Sequence, residues 1–368
     1  MSINQKLKQL YQINLPIIEK IADELKDDFD GPLLMHCWDE EFNNAEYKIL
    51  FIGQEHTNTC WFANDAIEAP LEWYQNFELG KNYNSPFWRA VKQLNKTLNR
   101  NTSHKPNFLS TNVSKYATTE GKSVGYDIHY RLVKDLNFNI LANEIEIIKP
   151  DAIIFLSGSN YDKWIEIQFS DALTFDTPLH SNVPIKELSI VKCKGEKLLF
   201  PKHTYRTFHP MSLLNNKWHF LNIIALDIMG FSFEKTLEKL NTDLENLRHV
   251  KAEKINDCFG SKENTIIINV PEWEYFNIGF QFEEAGFSSF FYGIMNKHID
   301  LENQDNIKAI NGLQANNCKT SKLWPYWDWF EHRDWNKKTF EEIENGDFTK
   351  KMQKVIDNIL DNTKGLKL

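Results

Sequence analysis

The stretch "YKILFIGQEH", residues 47–56, decides the fold of the amino-terminal half of the chain. Its apolar run ends at Gly53, which is typical of a strand covered on both faces within a parallel sheet. Gln54, Glu55 and His56 follow, where a strand-ending loop ordinarily carries Gly, Asn, Asp or Pro. Ligands of parallel sheets bind outside the carboxyl ends of the strands. The stretch therefore predicts a buried strand and a candidate functional site.

Three further segments predict strands of the same sheet. They are "PNFLSTNVSKY" (106–116), "DAIIFLSG" (151–158) and "HTYRTFHP" (203–210). Helical patterns separate the predicted strands, and this alternation indicates an α/β fold with helices on both faces of a mostly parallel, four-stranded sheet.

The helices of this half are predicted from apolar spacing and capping residues. The pattern between residues 7 and 25 predicts two short helices that Pro16 separates. Ser85 and Pro86 are typical of the N-cap and first position of the next helix. The predicted helices after Pro16 cover 85–98, 132–150 and 217–229.

Composition limits the class of protein. The chain has 368 residues, of which 42% are apolar and 25% charged, as in globular proteins with two domains. No apolar run approaches the roughly 20 residues of a membrane span, and we expect a cytoplasmic protein. Five scattered cysteines predict reduced thiols and neither a disulfide framework nor a CxxC metal site. The net charge of -9 argues against a surface that coats nucleic acid throughout, while a local basic groove remains compatible with it.

The composition changes after the first half. We predict a first domain at 1–232, a helical linker at 233–260 and an α+β accessory domain at 261–368, with three short strands and a final helix. The last domain contains the aromatic segment "WPYWDWFEHRDW" (324–335), which indicates either core packing or an exposed stacking platform.

The order of motifs in residues 1–232 resembles the uracil-DNA glycosylase superfamily. "FIGQEHT" is similar to its water-activating motif, "STNVSKY" to its base-recognition motif, and "FHPMSLL" to its histidine and leucine-loop motif. "IIKPDAIIFLSG" is similar to a segment of the thermostable iron–sulfur branch, whose cysteine spacing is absent here. The resemblance implies a three-layer αβα sandwich. The scattered cysteines and the absence of a clustered His, Asp and Glu signature predict a reaction without metal or other cofactor.

The resemblance implies catalytic roles for Glu55 and His209. Glu55 would activate water and stabilise a cationic sugar, and a neutral His209 would donate a hydrogen bond to the leaving base. Two structural alternatives stay open, namely a carboxylate that caps the next helix and a buried histidine bonded to backbone.

The resemblance also implies a set of base-binding residues. Asn112 offers a donor and an acceptor to a pyrimidine edge, unless it is a plain turn residue. His56-Thr57 stands where the family has Pro-Tyr, so the wall beside pyrimidine C5 is predicted to be open to modified bases. The full base-binding set is Gln54, His56, Thr57, Trp61, Phe62 and Asn112, with Trp61 or Phe62 as the stacking ring or as core.

The DNA-binding prediction combines cations with the residues around His209. Lysines and arginines are candidates for phosphate contacts, although surface lysines are ordinarily only solvated. Met211 stands where the family has serine, and leucines follow where it has a wedge. The predicted DNA-binding residues are Lys115, Ser157, Ser159, Lys202, Arg206, Met211, Ser212, Leu213 and Leu214, and His203 is a further phosphate candidate.

The sequence thus predicts a DNA glycosylase that flips and removes a modified pyrimidine, in repair or in defence against viral DNA. A catalytically silent sensor of modified bases and an adaptor acting through residues 261–368 are the alternatives. That second half weakly resembles regions associated with restriction-like nucleases, without their Asp…Glu-x-Lys metal site. Its predicted role is to bind DNA, a protein partner or itself.

Overall fold

The computed structural model describes residues 1–25, 29–55, 66–99, 105–120, 122–169, 173–178, 183–194, 200–211, 218–248, 251–253, 265–284, 287–297, 310, 321 and 323–368. The chain divides into two compact units, Met1–Leu213 and Leu214–Leu368. The sequence predicted that the first domain ends at residue 232 and that a helical linker follows it. The observed division between the two units falls earlier, after Leu213. The helices after Leu214 therefore belong to the second unit.

The first unit alternates helices and strands along the chain. Its helices are α1 (Ile3–Leu25), α2 (Asp39–Asn43), α3 (Glu68–Phe77), α4 (Pro86–Leu98), α5 (Tyr126–Tyr130), α6 (Ile140–Ile148) and α7 (Asp162–Gln168). Its strands are β1 (Phe29–Asp30), β2 (Ile49–Gly53), β3 (Leu109–Asn112), β4 (Ala117–Thr118), β5 (Ala152–Phe155), β6 (Leu173–Asp176), β7 (Leu188–Cys193) and β8 (His203–Thr207).

A mostly parallel sheet forms the centre of this unit. Among the described residues, six strands have the order β3-β2-β5-β8-β7-β6. The neighbours from β3 through β2 and β5 to β8 are parallel, and β1 pairs with β4 in a separate ribbon. Every residue of β2, β3 and β5 is buried, so both faces of these strands are covered. The four predicted strands and the α/β class are confirmed.

The predicted number of strands was wrong, because β6 and β7 were missed. They form an antiparallel hairpin, and β7 pairs antiparallel with β8 at one side of the sheet. Several of their residues are exposed or half-buried, so neither strand has the continuous apolar run that identified the buried ones.

Two of the helix predictions need correction. Helix α1 runs through Pro16 without interruption, because Leu7 and Tyr11 before it and Ile18 after it are all buried and packing continues across the proline. The predicted helix 132–150 is two helices: a π-helical turn extends α5 to residue 135, and α6 starts at residue 140. The predicted Ser85 cap is confirmed, since its Oγ accepts a 3.4 Å hydrogen bond from the Trp88 amide.

The second unit combines helices with an antiparallel sheet. Its helices are α8 (Trp218–Met229), α9 (Phe233–Glu245), α10 (Lys337–Glu344) and α11 (Asp347–Asn362). Its strands are β9 (Lys251–Glu253), β10 (Thr265–Asn269), β11 (Phe276–Glu284), β12 (Ser288–Asn296) and β13 (Tyr326–Trp329), in the order β13-β12-β11-β10-β9. The three predicted strands are present, and the predicted linker helix is shorter because residues 251–253 form a strand.

The aromatic segment 324–335 has a mixed environment. Trp324, Phe330 and Trp335 are buried, and Trp335 packs edge-on against Phe290 at 5.0 Å. The remaining three aromatic residues lie half-exposed on edge strand β13. Core packing therefore accounts for half of the segment.

Candidate active site

Side chains at the carboxyl ends of three parallel strands meet in one pocket of the first unit. Gln54 and Glu55 follow β2, Asn112 ends β3, and His209 follows β8. All four line a cavity of about 240 Å³. The structure thus brings together four of the residues that the sequence assigned to catalysis and base recognition.

The floor of the pocket depends on the absence of a side chain at Gly53. A Cβ on Gly53 would lie 2.5 Å from Asn112 Oδ1 and 3.2 Å from the Phe87 ring. Both approaches are closer than ordinary van der Waals contact, so only glycine admits Asn112 and Phe87 at these positions. Gly53 pairs with Asn112 in the β2–β3 ladder. This register fixes the position along the strand at which the Asn112 side chain reaches the pocket.

Gln54 holds the ends of the strands together. Its Nε2 donates a 2.6 Å hydrogen bond to the Ser157 carbonyl, which follows β5. The backbone carbonyl of Gln54 accepts a 2.9 Å hydrogen bond from the backbone amide of Ser114, which follows β3. The Gln54 side-chain NH2 group is thus already engaged within the protein. The predicted contact of Gln54 with a base would therefore come from other atoms of this residue.

Glu55 is a half-buried carboxylate with an internal donor. Burial raises the pKa of its carboxyl, although hydrogen bonds from Tyr161 and Ser123 favour the ionised form. The Tyr161 hydroxyl donates to Oε2 over 2.6 Å. An ionised carboxylate that has lost much of its hydration, yet keeps a donor, interacts strongly with a nearby positive charge.

His209 is set up as a neutral hydrogen-bond donor. Burial lowers the pKa of its imidazole, which favours the neutral ring. Nδ1 accepts a 3.3 Å hydrogen bond from the Met211 amide, so the proton of the neutral ring resides on Nε2. His209 also lines the cavity, so it is suited to donate to an acceptor on a bound ligand.

Aromatic rings form the other wall of the pocket. Trp73, Tyr74 and Phe77 come from α3, and Phe87 and Trp88 come from the first turn of α4. Tyr74 is buried, and its hydroxyl donates a 2.6 Å hydrogen bond to the Ser110 carbonyl on β3. The other four rings are only half-buried, which leaves part of each face available to the cavity.

Lys115 does not fit the predicted phosphate contact. Its side chain is 2% exposed, and its ammonium lies 2.5 Å from Glu144 Oε2 and 2.5 Å from Thr111 Oγ1. Glu144 Oε1 in turn accepts a 2.8 Å hydrogen bond from Tyr11. Burying a charge is costly without such partners, so Lys115 belongs to an internal network that ties α1 and α6 to the end of β3.

Arg206 is likewise an internal cation. Its side chain is fully buried and holds Asp162 through two hydrogen bonds of 2.8 and 3.1 Å. Two further guanidinium N–H groups donate to the Lys186 carbonyl and the Ser189 hydroxyl. Burial raises the pKa of Asp162 to about 6, and the Arg206 charge works against that increase. The structure thus pairs Arg206 with groups of the protein, and its phosphate contact stays an untested prediction.

The other predicted DNA-binding residues divide by exposure. Ser157 is buried, and its backbone carbonyl accepts the Gln54 hydrogen bond, so the structure gives its predicted DNA contact no support. Ser159 is half-buried, while Lys202 and Met211 are exposed and remain candidates. His56, Thr57, Trp61, Phe62, Ser212, Leu213 and Leu214 lie outside the described residues.

One cluster in the second unit has the composition of a metal site. Glu331, His332 and Glu342 bring their ligand atoms within 4.8 Å of one another. The Lys351 ammonium lies 2.5 Å from Glu331, 2.8 Å from Glu342 and 2.8 Å from the His332 ring. A cation of the protein already contacts all three groups, so we assign the cluster to a salt-bridge network.

Tyr161 and the aromatic wall were not among the predicted site residues. The sequence does contain a signal for the wall, since the i, i+4 spacing of Trp73 and Phe77 places both rings on one face if the segment is a helix. Tyr161 gave no such signal, because its contact with Glu55 joins residues that are 106 positions apart.

No protein-family model, no characterised protein and no solved structure matches the chain. Within the described ranges, no helix has the length and apolar content needed to cross a bilayer. The geometry of the pocket carries the functional argument.

Proposed function

We propose that the first unit is a DNA N-glycosylase with a uracil-DNA glycosylase-like sandwich fold, which removes a pyrimidine base from DNA. The observation that carries this proposal is the meeting of Glu55, Asn112 and His209, from three different strand ends, in one partly aromatic pocket. Breaking an N-glycosidic bond generates a cationic sugar and an anionic base. A site for this reaction needs a carboxylate and hydrogen-bond donors, and this pocket contains both.

Glu55 is assigned to the sugar side of the reaction. Its carboxylate would orient the attacking water and stabilise the developing positive charge on the sugar. Desolvation increases this electrostatic effect, and the Tyr161 hydroxyl holds one carboxylate oxygen in place.

His209 and Asn112 are assigned to the base. A neutral His209 with its proton on Nε2 donates to the carbonyl oxygen on which negative charge develops. The Asn112 side chain has both a donor and an acceptor for the Watson–Crick edge of a flipped pyrimidine. Because Gly53 permits the close approach of Asn112, the amide is held at the floor of the pocket.

The decisive experiment is base release from DNA. Oligonucleotides carrying uracil, thymine, 5-hydroxymethylcytosine or a glucosylated pyrimidine are incubated with the protein, and alkali then cleaves at abasic sites. We expect Glu55→Gln to lower the single-turnover rate by roughly a hundredfold or more and to leave DNA affinity within a few-fold, because the charge acts mainly in the transition state.

A matched control separates the site from the general loss of an acidic group. Glu146 is exposed on α6 and does not line the pocket, so Glu146→Gln should retain the wild-type rate. A wild-type rate for Glu55→Gln would remove this residue from the mechanism.

A binder of modified bases without turnover is the second candidate. The specific observation that favours it is the internal pairing of Lys115 and Arg206, which withdraws two cations from phosphate binding. This candidate predicts that wild type and Glu55→Gln bind modified pyrimidines equally and that neither produces abasic sites.

A further inference from the structure

The aromatic wall has no task in the proposed chemistry, yet it lines the same cavity as Glu55. Trp73 stacks on Phe77 with ring centres 5.0 Å apart, and Trp88 meets Phe77 edge-on at 5.4 Å. All three rings are half-exposed and line the pocket. The cavity thus has a polar end at the strand termini and an aromatic end between α3 and α4.

The local backbone holds this aromatic end in a fixed shape. Helix α3 is followed by three consecutive residues in left-handed conformation, Glu78, Leu79 and Gly80, with φ values of 44°, 50° and 67°. A Cβ on Gly80 would lie 2.4 Å from the Trp88 indole, so the turn lies directly against this ring. Left-handed conformations are costly for residues other than glycine. The chain therefore maintains an unfavourable turn that braces Trp88 against Phe77.

Volume and polarity define what the aromatic end can hold. A cavity of roughly 150 Å³ accommodates benzene, so about 240 Å³ leaves room for a pyrimidine ring and a further group. The described residues at this end are Trp73, Phe77, Leu79 and Trp88, Phe87 lies between them and Asn112, and none of these residues that stack or pack on the rings is charged. A charged group would lose hydration there without gaining a partner, whereas a group with an apolar face would stack on the rings.

We propose that the pocket takes a pyrimidine carrying an uncharged substituent with an apolar face, which lies against Trp73, Phe77 and Trp88. This inference rests on the proposed function, because it places the base itself at the polar end. A substituent at C5 leaves the Watson–Crick edge intact. Asn112 can therefore bind that edge while the substituent occupies the aromatic end. The wall thus selects modified over plain pyrimidines.

The test uses four 2′-deoxyuridine nucleosides with the same Watson–Crick edge. They are plain deoxyuridine and its 5-benzyloxymethyl, 5-glucosyloxymethyl and 5-carboxy derivatives. Binding is measured by calorimetry and by quenching of tryptophan fluorescence. We expect the benzyl or glucosyl derivative to bind at least tenfold more tightly than plain deoxyuridine, and the carboxylate to bind no better than plain deoxyuridine. The benzyl and glucosyl arms distinguish an aryl from a sugar substituent.

Variants locate the preference within the pocket. Trp88→Ala should reduce the ratio of substituted to plain affinity to about threefold or less, because it removes one stacking face. Trp73→Ala tests the same wall if the turn beneath Trp88 does not tolerate the first change. Trp329→Ala, which removes a half-exposed tryptophan of β13 in the second unit, should leave the ratio unchanged.

Each result has a defined meaning. Equal affinity for plain and substituted nucleosides would overturn the inference and leave base release from DNA, with its dependence on Glu55, as a separate question. Tightest binding of the carboxylate would also overturn it. Failure to bind any of the four nucleosides would count against the proposed function and the inference together.

Discussion

Replacing Tyr161 with phenylalanine removes one hydrogen bond from Glu55, together with the hydrogen bond that Ser123 makes to the Tyr161 hydroxyl. The Tyr161 hydroxyl donates to Glu55 Oε2 over 2.6 Å, and its ring stacks on Trp164 at 4.8 Å. Phenylalanine keeps the stacked ring, so the turn after β5 should retain its shape. The variant therefore tests the effect of the hydroxyl on the carboxylate while the ring stays in place, and it releases Ser123 to bond Glu55 alone.

The size of the effect follows from the strength of a charge-assisted hydrogen bond. Such bonds contribute roughly 1.5–3 kcal/mol. Glu55 is only partly buried and also bonds Ser123, so water and Ser123 offset some of the loss and the lower end applies. About 1.4 kcal/mol corresponds to about one pH unit in the titration of the carboxyl.

The sign of the change is fixed by which form the hydroxyl stabilises. Tyr161 favours ionised Glu55, so its removal raises the pKa of this carboxyl further above its ordinary value. Glu55 acts as a carboxylate in the proposed mechanism, so the acidic limb of the rate profile should move to higher pH by about one unit. At pH values well above that limb, the rate should approach that of wild type.

Two measurements check this expectation. Carbon-13 NMR of glutamate side chains reports the titration of Glu55 directly, with Glu55→Gln identifying its signal, and single-turnover base release gives the rate profile. Tyr74→Phe is the matched control, because it removes a tyrosine hydroxyl of the same pocket that bonds the Ser110 carbonyl. Tyr161 is not a positioning residue if the titration of Glu55 and the rate profile of Tyr161→Phe both coincide with those of wild type.

Three further outcomes are expected. Gly53→Ala should slow base release tenfold to a hundredfold, because its Cβ displaces Asn112, and single-turnover rates measure this. Lys115→Met should lower the free energy of unfolding in urea by about 3–5 kcal/mol, because it leaves Glu144 buried without its ion pair, whereas loss of DNA affinity at unchanged stability would restore the phosphate contact. Burial lowers the pKa of His129 to about 4, so the unfolded chain takes up its proton first as the pH falls below about 6.5. Between pH 6.5 and about pH 4, the free energy of unfolding of wild type should therefore fall by about 3 kcal/mol relative to that of His129→Phe. Urea unfolding at each pH measures this difference.

The buried part of the fold was predictable because periodicity reports burial. β2 and β5 are apolar at every position and covered on both faces, so their sequences alone identify them as strands of a parallel sheet. β6 and β7 were not predicted as strands, because exposed and half-buried positions interrupt their apolar pattern. The helix prediction was wrong at Pro16. Local propensity disfavours proline inside a helix, but tertiary packing on both sides of Pro16 keeps α1 continuous.

The pocket was predictable only where its residues directly follow strands. Glu55, Asn112 and His209 occupy strand ends, and parallel strands bring their carboxyl ends to one edge of the sheet. Tyr161 and Trp88 come from helical turns beyond the strand ends, and their positions depend on how these turns pack. That information resides in contacts between distant parts of the sequence.

Lys115 and Arg206 were predicted to contact phosphates, and neither of them lines the pocket. Their charges meet carboxylates of the protein. Lys115 joins Thr111, which lines the pocket, to Glu144 on α6. Arg206 holds Asp162, the residue next to Tyr161, at the start of α7. The buried Lys115–Glu144 pair and the partly buried Arg206–Asp162 pair therefore hold Thr111 and Asp162, the neighbours of Asn112 and Tyr161, in place. A site preorganised in this way orders its dipoles during folding and not during the reaction.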